Sequence, residues 1–329
     1  MVLDHLAEKS MKKSFFSVSG LVLIALFACP ACSIKKLSMN QVANALTGSA
    51  SSTVFTGDND PELVGDALPF AIKMYESLLT ANPRHQGLRL QTGSLYIMYA
   101  NAFLQTPATM LPEAEYKKQE FSYRRAKNLY LRGRDIILAS LEYKYPGFRD
   151  ALQKRNYGKA LERTTRKDAP LLYWAGAGWL GGFAIDPFDM DLGITLPAAA
   201  ALMDRVYRLD PDYAAGAIHE FYILYYGSLP EYMGGDLKKA RDHYEQALAI
   251  SHGKSATPYL SLATSVTVKE QNLGEFKELL RRALAIDPEA IPENRLVNIL
   301  NQRKAQWLLE HADDYFVESD EAPGDKEEK

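Results

Sequence analysis

Two thiols, Cys29 and Cys32, stand three residues apart in LVLIALFACPACSIKKLS, and the 329-residue chain has no other cysteine. The thiolate is a strong nucleophile and a soft metal ligand. This spacing therefore suits a disulfide, half of a zinc site, or one thiol modified by group transfer. A Cys29–Cys32 disulfide would close a very short loop and stabilise little. Zinc asks for four ligands, and no second pair follows. Acyl transfer to one thiol is the chemistry that the flanking residues favour.

Those flanks are Lys12 and Lys13, then the uncharged run Phe15 to Ala28. As a helix the run spans roughly 21 Å, short of a ~30 Å hydrocarbon core. A cleaved secretory signal explains it better than a transmembrane anchor. Residues 1–28 are thus a signal peptide, with Met11 a second candidate start because MKK is a compact basic leader. Leu26-Phe27-Ala28-Cys29 has the large-then-small order that precedes the modified residue of a bacterial lipoprotein. Cys29 fits this cleavage pattern best; Cys32, followed by Ser33-Ile34-Lys35-Lys36, is the alternative. The expectation is a lipid-anchored protein of the bacterial periplasm, held to a membrane through its lipid alone.

Other chemistry-bearing patterns fail on context. Gly176-Ala177-Gly178-Trp179-Leu180-Gly181 matches G-x-G-x-x-G but lacks the preceding strand that a dinucleotide loop requires. Its small residues suit close helix packing or room for a ligand. Gly253-Lys254-Ser255 has Leu248 where a phosphate loop needs glycine, and His219-Glu220 has Ile223 where a zinc-protease helix needs its second histidine. No metal-ligand spacing links the six histidines and no nucleophile turn is present. No enzyme activity and no cofactor are expected. A net charge of −3 without a long basic stripe argues against nucleic acid.

The elements that would position any binding site are helical. Residues 29–57 read as a lipidated tether, polar and rich in small residues, with a short helix from Met39 to Leu46. From Asp58 the pattern changes. Asp60-Pro61-Glu62 is a helix-entry signal, and Leu68, Ile72, Tyr75 and Leu79 form the stripe of an amphipathic helix that Pro69 is expected to break or kink. Offsets of 0, 4, 7 and 12 then recur: Ala71, Tyr75, Leu78, Pro83; Ala199, Met203, Val206, Pro211; Ala240, Tyr244, Ala247, His252; Phe276, Leu280, Ala283, Pro288. Small residues admit a neighbouring helix, and the bulky residue fills the gap. This resembles the second helix of a tetratricopeptide repeat. FSYRRAKNLYLRGRDIILASLEYKYP reads as one long helix. The fold class is all-α, a tetratricopeptide-like helical-repeat superhelix over residues 58–317. An acidic, disordered tail occupies 318–329.

Repeated helix pairs build surfaces for a protein or an extended ligand. Tyr96, Tyr99 and Phe103 fall on one helical face, and Trp174 and Trp179 flank the small-residue stretch. These five are the candidate lining of a ligand passage, against a default role in the core.

Several phrases in order, DNDPELVGDALPFAIKMYESLL, YANAF, LYLRGRDIIL, LDPDYAAGAIHEF, HYEQALAISHGKSATPYLSLA, LLRRALAIDP and QRKAQWLL, resemble one family. It is TatT, the T component of tetratricopeptide-associated TRAP transporters, and the likeness runs from about Cys32 to Phe316. The resemblance implies a periplasmic lipoprotein with a passage through its body, assembling as a homotrimer. It also implies a substrate-binding P subunit as partner, with a small apolar or carboxylated solute as cargo. It favours Cys32 as the anchor, where the cleavage pattern favours Cys29. A structural scaffold for envelope assembly, built on the same anchor and repeats, is the competing reading.

Overall fold

The computed structural model describes residues 40–317; Cys29, Cys32, the signal segment and the tail beyond Val317 lie outside them. The chain divides into two compact units, the first ending at Gly48 and the second starting at Ser49. Of the first unit a short helix over 40–46 is described. All that follows concerns the second.

Every regular element among the described residues is helical. In chain order the helices are α1 (Ser49–Thr56), α2 (Pro61–Ala81), α3 (Gln86–Tyr99), α4 (Tyr116–Lys144), α5 (Phe148–Gln153), α6 (Tyr157–Leu161) and α7 (Ala169–Ile185). Then come α8 (Met190–Leu209), α9 (Tyr213–Ser228), α10 (Leu237–Ser251), α11 (Thr257–Leu262), α12 (Leu273–Leu284) and α13 (Arg295–Glu310). α1 falls in the stretch that composition assigns to the tether. None of the described helices is long and apolar enough to cross a membrane.

The helix-entry signal works as its chemistry dictates: Asp60 caps α2 by accepting the Leu63 amide at 3.0 Å. Pro69 does not interrupt this helix. It lies on the exposed side, and burial of Leu68, Ala71, Ile72 and Tyr75 on the opposite side holds the helix through the one missing backbone bond. The offset pattern marks real core positions, since Ala199, Met203, Val206, Ala240, Tyr244, Ala247, Phe276, Leu280 and Ala283 are all buried. The long amphipathic stretch in the middle is indeed one helix, α4.

Two apolar clusters result. The first joins α3 to α8 and the near side of α9; the second joins Ile223 of α9 to α10, α11, α12 and α13. Glycines set the closest crossings in the first cluster. Gly133 of α4 faces Gly93 of α3, and a Cβ at Gly133 would stand 2.5 Å from the Gly93 carbonyl oxygen. Gly178 and Gly181 of α7 press against Tyr130 of α4. The G-x-G-x-x-G match is therefore a packing device. Asp168 pins α7 to α4, taking the Lys144 ammonium at 2.5 Å and the Tyr145 hydroxyl at 2.7 Å.

The helices pack on their chain neighbours, and the last returns to the first: α13 contacts α1 and α2. Arg303 of α13 forks onto the Glu62 carboxylate, and Arg295 donates to the Gly57 carbonyl at 2.9 Å. The circuit is closed.

At the start of α9 the backbone is strained. Ala214 and Ala215 have φ of 49° and 55°, followed by Gly216 at 98°. A Cβ in the left-handed region costs about 1 kcal/mol. Ala215→Gly is expected to keep the native backbone and stabilise the protein by about 0.5–1 kcal/mol in urea unfolding, since glycine's lost chain entropy offsets part of the relief.

Candidate functional site

The five aromatic residues singled out in the sequence go to different places. Tyr96 is buried on α3, with the Arg132 guanidinium 4.9 Å from its ring centroid. Its phenol is hydrogen-bonded to Glu76. A π-helical turn over Ala100–Gln105 follows α3, and Phe103, within it, stacks on Tyr99 at 5.8 Å. Of this face Tyr96 lies in the core, while Tyr99 and Phe103 are half-buried. Trp179 turns toward α4 and α8: it lies under Arg134 at 4.8 Å and donates its indole N–H to Thr195 at 3.0 Å. Trp174 stands edge-on to Tyr173 at 5.6 Å. Only Trp174 neighbours the group described next.

Tyr173 of α7 and Tyr213 of α9 meet at 5.0 Å, close to Glu220 of α9. Ser255, in the α10–α11 connection, donates to the Glu220 carboxylate at 3.1 Å. Burial raises the Glu220 pKa to about 7, against which the Ser255 bond is a weaker, opposing influence. The same connection is tied to α13. Asn298 accepts the Ala256 amide at 2.9 Å and donates to the Lys254 carbonyl at 3.1 Å, and Asn301 donates to the Thr257 hydroxyl at 3.0 Å.

Along α13 the side chains of Val297, Leu300, Lys304, Trp307 and His311 recur at helical spacing, and all are half-buried. Lys304 has no ion pair or hydrogen bond among the described residues, and desolvation pulls its pKa below the usual lysine value. Tyr173, Ala177 and Leu180 on α7 form a like stripe, and Tyr213, Ala217 and Glu220 are half-buried on either side of the kink at Ala214, Ala215 and Gly216. Such groups are enclosed by protein without being sealed by it. A desolvated ammonium at Lys304 and a carboxyl near its midpoint at neutral pH at Glu220 are each groups that can hold and release a small polar head.

Directly behind Glu220 is a histidine pair. His219 of α9 and His243 of α10 approach through their Nδ1 atoms at 2.8 Å, ringed by Tyr207, Tyr222 and Tyr226. His219 also bonds the Pro211 carbonyl, so His243 supplies the shared proton when both rings are neutral. Burial lowers the pKa of both; for His243, burial first and then the His219 charge bring it to about 4.

Spacing in sequence does not reveal this pair, because its members are 24 residues apart on two helices. Glu220 did carry a signal. It is a lone acid in the apolar run Ile218 to Ile223, where an ionised carboxylate is costly. Among the described residues no cluster of three metal-ligating side chains occurs.

Comparison with known proteins adds family information. The sequence model of the TRAP transporter T-component family matches residues 57–316. An uncharacterized protein of Treponema pallidum (strain Nichols) is 37% identical over 323 residues, covering 94% of this chain and 100% of the relative.

Proposed function

The chain belongs to the TRAP transporter T-component family, and from that premise we propose that it is a non-enzymatic docking and transfer subunit of a TRAP-type solute uptake system. In this reading a lipid on Cys29, or alternatively Cys32, holds it to a membrane on the periplasmic side. Its tetratricopeptide-like helical superhelix, assembled as a homotrimer, receives the substrate-binding P subunit. A small apolar or carboxylated solute passes between the two proteins through the enclosed face of the circuit.

What supports this is the family match, together with half-buried residues on α7, α9 and α13 and the contact of α13 with α1 and α2 that closes the circuit of helices. A scaffold needs a large outer surface and has no use for a desolvated lysine. An enzyme would need a nucleophile or metal that His219, Glu220 and Lys304 do not assemble. A transfer protein needs weak, enclosed polar groups, and those are present.

Native mass spectrometry of the full mature chain, mixed with the P subunit of the same system, tests the reading. Stoichiometric complexes on a three-fold base are expected. A chain that stays alone with that subunit, and instead captures outer-membrane assembly proteins, would overturn the transport reading in favour of the scaffold.

A further inference from the structure

A cavity lies between α4, α5, α7 and α8 and has a volume of about 460 Å³. That is within the size range of small-molecule sites. Its polar side is made by three guanidinium groups, Arg134, Arg149 and Arg155, drawn from α4, α5 and the turn after α5. Its apolar side is Leu138, Leu152 and Leu192, with Trp179 as a wall.

The charges do not cancel. Asp135 pairs with Arg134 at 2.9 Å. Arg149 has no carboxylate within ion-pair distance: the nearby Glu142 spends its oxygens on the backbone amides of Gly147 and Arg149. One Arg149 Nη donates to the Asp135 carbonyl at 2.6 Å, and its Nε is buried without a partner. Arg155 reaches only the Ile194 carbonyl, at 3.5 Å, from a backbone with φ of 57°. Asp191 lines the mouth, exposed and without an ion pair among the described residues. Two guanidiniums thus line the cavity without a carboxylate partner, that of Arg149 with a buried unpartnered Nε and that of Arg155 exposed. A buried donor left unmade is costly, and guanidinium forks match carboxylates in geometry.

The site is also built before any ligand arrives. Trp179 is held by its bond to Thr195, and its ring carries Arg134. The chain along the mouth exposes Phe188, Met190 and Ile194, with Ile194 itself in the lining. A wet apolar rim leading to an apolar floor and a cationic end suits an amphipathic anion.

We propose that this cavity is a binding site for a small organic carboxylate with an apolar body, its head on Arg149 and Arg155 and its body against Trp179 and the three leucines. The ligand class is the one the transfer reading names, but the site lies on different helices and its test needs no partner protein.

Octanoate, titrated calorimetrically into the full mature chain without the P subunit, is the test. Octan-1-ol and octylamine serve as head-group controls and acetate as the head alone. One octanoate per chain is expected, with the alcohol, the amine and acetate each binding at least about tenfold more weakly. Octanoate should change tryptophan emission, and Trp179→Phe should remove that change. Arg149→Gln is expected to weaken binding about tenfold or more. Its guanidinium is part of the local packing, so exposed Arg155→Gln and the cavity-filling Ala198→Met provide independent variants whose melting temperatures establish that they fold. Failure of octanoate to saturate, or equal binding of octan-1-ol, would overturn the proposal. So would octanoate binding that survives both Arg155→Gln and Ala198→Met but is lost in Lys304→Met, which would place the ligand on the enclosed stripe of α13.

Discussion

At pH 8 the Glu220→Gln protein melts about 5 °C above the wild type, and at pH 5 the gap shrinks to about 1–2 °C. The expectation follows from linkage. Burial raises the Glu220 pKa from 4.5 to about 7. The folded state therefore binds more protons than the unfolded chain between those values, and the acid's contribution to stability falls as pH rises through that window. At about 1.4 kcal/mol per pH unit, the cost above pH 7 is about 3–4 kcal/mol, and an uncharged isostere removes it. The amide oxygen of the variant can still accept the Ser255 hydroxyl, so the pH-independent change is small. Calorimetric melting of both proteins from pH 5 to 8 checks it, and parallel curves would refute the assigned ionisation.

The neighbouring histidines titrate with the opposite sign. Their folded pKa values are depressed below 6.5, to about 4 for His243, so their contribution is present above pH 6.5 and is lost as pH falls toward 4. Asp242 and Asp212 favour the charged forms without outweighing burial. In the same melting series His243→Gln is expected to flatten the acid limb and leave the alkaline limb unchanged. Wild-type stability should rise gently between about pH 4.5 and 6.5, because Glu220 offsets only part of the gain from the two histidines there.

Gly133→Ala is expected to destabilise the protein by about 2–4 kcal/mol, and Gly133→Val to prevent folding. Elsewhere on a helix, replacing glycine by alanine gains about 1 kcal/mol. At Gly133 the new Cβ would meet the Gly93 carbonyl oxygen at 2.5 Å and Ile97 at 2.8 Å. A backbone oxygen cannot step aside without moving α3. Gly158 is the control: a Cβ there has nothing within 4 Å, so Gly158→Ala should be neutral or slightly stabilising. Urea unfolding of the two alanine variants reads the difference directly, and similar midpoints would refute the close crossing.

The helical class was legible because the apolar period is local: the offsets at Ala199, Ala240 and Phe276 mark positions that are in fact buried. Pro69 misleads because its penalty is local too, while the burial that overrules it comes from another helix. Trp179 was picked out as an aromatic near small residues, but its role depends on Arg134 and Thr195, each on a different helix. The Glu220–Ser255 and His219–His243 contacts bridge 35 and 24 residues. Tertiary pairing of that kind leaves no spacing rule in the sequence. A charge inside an apolar run was the one trace available.

The clasp between α13 and the α1–α2 end joins Glu62 to Arg303, 241 positions apart. By loop-closure entropy a contact of that separation is expected to form late in folding, and both apolar clusters can form without it. The seam is polar, surface-lying and cheap to part. In the proposed transfer reading, that seam is where the circuit would part.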